Sequence, residues 1–223
     1  MNLPLRLMLG GLSLVAAMVL LGFAVKAGYF QQFDVAISRL LNLRHGTSPE
    51  WLISIMWWIS WFGGGVQRYI MVTMLTIALW RWWGWGAGLA MGLTTLLSSF
   101  ASDMLKMFFA RPRPELVPHL DLQSSFAYPS GHANNAAVVY ILFIMLVPQA
   151  RHPLWQLAAL CLIVVTGISR IMLGVHWPTD VIGGWMLGTA SALLAGAAIA
   201  WREHQKRAGF PSILNPHGGA HDI

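Results

Sequence analysis

The chain has 223 residues, 57% of them hydrophobic and only 10% charged, with a formal net charge of +6. A soluble domain carries roughly 25% charged residues, so this composition excludes a chain covered by polar surface. The basic residues sit at the ends of apolar runs and form no stripe, which excludes nucleic acid as the partner and suits segments flanking a bilayer.

Leu7–Val25 is uncharged between Arg6 and Lys26 and long enough to cross hydrocarbon. It is too long for the apolar core of a cleaved signal peptide. Gln31–His45 mixes Phe33, Val35, Ile37, Leu40 and Leu41 with polar groups and reads as a short helix or loop at the interface. Trp51–Phe62 carries Trp57, Trp58 and Trp61 and runs into Gly63-Gly64-Gly65, a break signal. We expect a half-buried lead-in there and the second span at Val66–Trp80; one long tilted helix is the alternative. Arg81-Trp82-Trp83 marks a membrane boundary. The remaining spans are expected at Trp85–Ser102, extending to Lys106, at Ala133–Val147, at Leu154–Ile168, continuing to Arg170, and at Val181–Trp201. The fifth holds the single cysteine, Cys161, read as an inert core thiol that allows no intrachain disulfide. Small residues over Gly183–Ala200 suit close helix packing in lipid. The expectation is all-α: one domain over 1–201 with six transmembrane helices and its site at one membrane face, then a mobile tail over 202–223.

Six spans place both termini and the loops at Arg81 and Arg151 on one side. Counting Lys and Arg on the two sides does not orient the chain, but the tail cations Arg202, Lys206 and Arg207 turn the reading toward cytoplasmic termini. Three polar clusters then share the opposite face: Lys106–Pro114 (KMFFARPRP), Pro129–His132 (PSGH) and Ser169–Asp180 (SRIMLGVHWPTD). They supply cations, a hydroxyl, backbone donors at a helix start, two histidines and a carboxylate. That inventory suits gripping a phosphate, attacking it and protonating what leaves. At a membrane edge it implies a substrate with a phosphate head and a lipid tail.

The spacing is specific. Lys106 precedes Arg113-Pro114 by six intervening residues, Pro129-Ser130-Gly131-His132 follows, and Ser169-Arg170 is followed by His176 after five residues and Asp180 after three more. Over Asp103–Asp180 this resembles the three-part signature of the type-2 phosphatidic acid phosphatase superfamily, which also includes soluble bacterial acid phosphatases and vanadium haloperoxidases. The resemblance implies that His176 is the nucleophile of a phosphohistidine step. Asp180 holds its other ring nitrogen, and His132 protonates the leaving oxygen. It also implies that Lys106, Arg113, Ser130, Gly131 and Arg170 bind the phosphate. The residue types agree: fixed cations suit charge spread over phosphoryl oxygens, and a glycine at a helix start lets backbone approach an anion.

Around these, Asp103 is placed to pair with Lys106. Arg111 is open to the substrate diphosphate or to lipid headgroups. Pro178 implies a turn between His176 and Asp180, with Thr179 or Asp180 capping the sixth span. Phe108, Phe109, Phe126 and Tyr128 are candidates to line the lipid's path or to sit at the interface. Arg81, Arg151 and Arg202 read as interfacial anchors. His45, His119, His152, His204, His217 and His221 read as surface histidines, the last two with weak metal-binding potential.

The expected function is that of an integral lipid phosphatase of the cell inner membrane, its site on the periplasmic face, working without cofactor or metal. Its partners are membrane lipids and a phosphorylated lipid substrate: undecaprenyl diphosphate, phosphatidylglycerophosphate or phosphatidate. The rivals are a phosphotransferase to a lipid or sugar hydroxyl, a non-catalytic lipid-phosphate binder or transporter, and a haloperoxidase.

Overall fold

The computed structural model describes residues 1–207, and among these it is a bundle of α-helices. Helix α1 (Leu3–Lys26) opens on Asn2, whose side chain accepts the Leu5 N–H at 3.2 Å. The short α2 (Gln31–Leu41) is amphipathic, with Asp34 and Ser38 buried on one face. Helices α3 (Glu50–Gly63) and α4 (Gly65–Trp83) are separate, because Gly65 takes φ +57° and interrupts the ladder. Helix α5 (Trp85–Phe109) runs three residues past the expected end at Lys106 and stops where Ala110 adopts a left-handed conformation. Helix α6 (Gly131–Leu146) ends before Pro148, and a 3₁₀ turn over Pro148–Arg151 leads into α7 (Pro153–Met172). Helix α8 spans Pro178–Arg207, with Pro178 in its first turn. It thus continues past Trp201 through Arg202. Residues 202–207 of the expected mobile tail are thus helical, and 208–223, with His217 and His221, lie outside the described residues.

Each expected span matches one helix, α1, α4, α5, α6, α7 or α8, with Val147 just past the end of α6. Helices α1, α7 and α8 are long and apolar enough to cross a membrane, and α6 is apolar but shorter. The outer faces of the bundle are greasy, with Leu20, Met74, Trp80, Leu96 and Leu160 all exposed. Surface of that kind suits hydrocarbon. Cys161 is exposed on this outer face of α7, which corrects its expected core position.

Helix α8 lies at the centre, and glycines set its distances. A Cβ on Gly184 would fall 2.4 Å from the Ser130 carbonyl oxygen, and one on Gly188 would fall 2.3 Å from that of Asn134. Only hydrogen fits there, so α6 packs parallel to α8 with backbones in contact. Gly11 gives α1 a similar, antiparallel approach, since a Cβ there would lie 3.2 Å from the Ala190 carbonyl oxygen. Asn134, Ser98 and Ser191 join α6, α5 and α8 by buried hydrogen bonds. Phe109 and Tyr128 pack with Met18 and Leu187, and the Tyr128 hydroxyl donates to the Met18 carbonyl at 2.6 Å. These two aromatics are therefore buried and not interface residues; Phe108 and Phe126 are exposed. The topology brings the end of α5, the start of α6, the end of α7 and the start of α8 to one end of the bundle.

Candidate active site

At that end, His176 sits in the tight loop between α7 and α8. Gly174 turns the chain at φ +76°, and the N–H groups of Val175 and His176 both donate to the Arg170 carbonyl at 3.2 Å. The His176 ring is buried and pinned from two sides. Its Nε2 lies 3.2 Å from Arg113 Nη1, and its Nδ1 lies 3.4 Å from Asp180 Oδ2. Because arginine only donates, Nε2 must accept, which places the ring proton on Nδ1 facing Asp180. Asp180 is shared: Oδ2 also accepts the Trp177 N–H at 2.8 Å and Oδ1 accepts from Arg111 Nη1 at 2.5 Å. The His176–Asp180 approach is a close contact and not an aligned hydrogen bond, since Nδ1 has no bonded partner. Burial first, then the charges of Arg113, Arg170 and Lys106, holds the His176 imidazole well below its ordinary 6.5.

The cations approach the ring from two helices and a loop. Arg113 is clamped by backbone: Nε to Ser125 O at 2.8 Å and Nη1 to Val175 O at 2.6 Å. Burial and the neighbouring Arg170 lower its pKa to about 10, so it stays charged at neutral pH. Arg170 is fully buried, bonded through Nη1 to Asp121 Oδ2 at 2.5 Å and to Ser60 Oγ. Its Nε and Nη2 are left without a protein partner, as is the buried Ser130 Oγ. Lys106 pairs with Asp103 at 3.5 Å, as expected, and its Nζ lies 3.3 Å from where a Cβ on Gly131 would be. Ser130 is the N-cap residue of α6, and its backbone N–H donates to the Asp180 carbonyl at 2.9 Å. His132, in the first turn of α6, has Arg170, Arg68 and Lys106 as charged neighbours and the His176 ring nearby. All eight residues singled out by spacing thus meet at one end of the bundle. The set offers donors and positive charge to an oxyanion beside a neutral imidazole.

Comparison with known proteins agrees. The PAP2 superfamily profile matches residues 83–204, and phosphatidylglycerophosphatase B of Bacillus subtilis (strain 168) is 32% identical over 182 residues, covering 79% of this chain and 88% of that protein. The chain belongs to the PAP2 superfamily. It falls in the membrane lipid phosphatase branch. The crystal structure of a transmembrane PAP2-type phosphatidylglycerolphosphate phosphatase from Bacillus subtilis superposes with a TM-score of 0.76 at 29% identity, covering 88% of this chain and 98% of that one. The undecaprenyl-diphosphatase of Sulfolobus acidocaldarius is 25% identical over 168 residues, 73% of this chain and 77% of that protein.

Around the PAP2 signature stands a supporting set that the sequence reading missed. Arg111 is held by protein partners. Its Nη2 pairs with Asp34 Oδ2 at 2.6 Å and its Nη1 bonds Asp180 and Thr179. Asp34 also accepts the Thr179 N–H at 3.0 Å, so a carboxylate on α2 caps α8 alongside Asp180, which reaches back to the Trp177 N–H as expected. Asp121 and Ser60 anchor Arg170. Asp34 was the more findable: an acid four residues before Ser38, on one face of an amphipathic helix, signals a buried partner. The histidines at 45, 119, 152 and 204 and the arginines at 81, 151 and 202 are exposed, as expected.

Proposed function

We propose that this PAP2 protein hydrolyses the phosphate or diphosphate ester of a membrane lipid through a phosphohistidine on His176. The observation that carries the reading is the His176 ring, whose Nε2 lone pair faces the cationic cradle while Nδ1 faces Asp180. Nε2 attacks phosphorus, and the bond from phosphorus to the lipid oxygen breaks as that oxygen takes a proton from His132. Asp180 stabilises the positive ring. Lys106, Arg113, Arg170, the Ser130 hydroxyl and the Gly131 amide hold the phosphoryl oxygens. Water activated by His132 then attacks the phosphohistidine, releasing phosphate and restoring the imidazole. No step calls on a metal, so turnover is expected to survive chelator.

In the same reading α1, α4, α5, α6, α7 and α8 are six transmembrane helices, with cytoplasmic termini and the site on the extracytoplasmic face of the inner membrane. The apolar outer faces and the three longest apolar helices support this. The test is purified protein in detergent offered undecaprenyl diphosphate, phosphatidylglycerophosphate and phosphatidate. Phosphate release from at least one is expected, with His176→Ala losing turnover by about 10³-fold or more while still binding. A wild-type protein inert toward all three would sink the reading, as would an undiminished variant.

A further inference from the structure

Arg68, in the first turn of α4, makes no ion pair among the described residues. With the Asn135 amide turned so that its oxygen faces the guanidinium, that oxygen accepts from Arg68 Nε at 3.1 Å and from Nη1 at 2.6 Å, while Asn135 Nδ2 donates to Ser99 Oγ at 3.1 Å. Arg68 Nη2 donates to the Tyr69 hydroxyl at 2.6 Å. Three of the five guanidinium N–H groups thus meet neutral partners, so the charge is fixed in place without being cancelled.

Its position is informative. Asn135 follows His132 by three residues, one turn along the same face of α6. Arg68 is thereby held about 5 Å along α6 from His132. It also stands at the mouth of a groove of about 610 Å³ between α3, α4, α6 and α7. The polar end of the groove is Gly63, Arg68, Asn135 and Thr166, and the rest is apolar. His132 forms the wall between groove and cradle: a Cβ on Gly63 would lie 3.4 Å from its Cδ2 and 3.2 Å from Thr166 Cγ2.

We propose that Arg68 and Asn135 form a second anion subsite on the leaving-group side of His132, taking the inner phosphate of a lipid diphosphate while the groove holds the lipid chain. The inference rests on the phosphatase reading above. In an in-line displacement the leaving oxygen departs opposite the attacking nitrogen, on the side of the residue that protonates it. In a monoester the next atom is carbon, which needs no cation. In a diphosphate it is a second phosphorus, whose oxygens carry charge about one helical turn from His132, where Arg68 stands.

Purified full-length protein in detergent, given farnesyl diphosphate and farnesyl monophosphate, isolates that phosphate from the chain. Arg68→Met is expected to lower the ratio of kcat/KM for diphosphate over monophosphate by about tenfold or more, with Arg68→Lys recovering part of it. Equal losses on both substrates, or no change in the ratio, would overturn the subsite and leave the phosphatase reading standing. Wild-type protein that releases phosphate from neither would overturn both. For the wild type, KM is expected to be about tenfold lower for farnesyl than for isopentenyl diphosphate; equal values would remove the groove from the proposal.

Discussion

At the scale of single residues, the chemistry depends on which ring nitrogen of His176 holds a lone pair. Arg113 on one side and Asp180 on the other answer that together. Burial and the cations keep the ring neutral below its ordinary 6.5, so the nucleophile persists into mild acid. The acid limb of kcat/KM is accordingly expected below pH 6.5, and a limb at or above that value would show a ring free of those charges. Asp121→Ala leaves Arg170 without its acidic partner in a fully buried position. It is expected to cut kcat/KM by about tenfold or more, with folding checked by thermal denaturation. The eight signature residues were legible in the sequence because their separations are fixed by helix ends and short loops. Their anchors were not. Asp34 and Asp121 reach Arg111 and Arg170 across folds in the chain, and no spacing rule connects positions so far apart.

At the scale of elements, the break between α3 and α4 serves the site. A Cβ on Gly64 would lie 2.0 Å from His132 Nε2, so only the bare backbone lets that imidazole rest there. Gly64→Ala is expected to displace the ring and lower kcat by about tenfold or more with little change in melting temperature. Gly65→Ala meets a positive φ instead, and is expected to reduce stability by about 1 kcal/mol. The glycine triplet announced a break, but nothing in it told which side chain lay over the gap. Helix α8 shows the same limit: its small residues signalled close packing, yet the partner and direction, α6 in parallel, came only from the fold. Gly188→Leu is expected to lower the melting temperature in detergent by forcing those backbones apart; an unchanged melting temperature would show that the contact is loose.

At the scale of the whole molecule, apolar runs and their charged flanks made the long helices legible, because hydrocarbon demands both. The core assignments of individual aromatics were less so. Phe109 and Tyr128 lie at the expected membrane edge in sequence, but the loop returns them under α1. The orientation is testable through Leu122, 93% exposed on the site's face. In a Cys161→Ser background, Leu122→Cys is expected to react with a membrane-impermeant maleimide added outside intact spheroplasts; labelling only after lysis would invert the topology. The most direct test of the account lies at His176. Purified protein quenched in alkali during turnover of a labelled lipid diphosphate is predicted to carry phosphate on the residue 176 imidazole, and phosphate bound stably to any other side chain would contradict it.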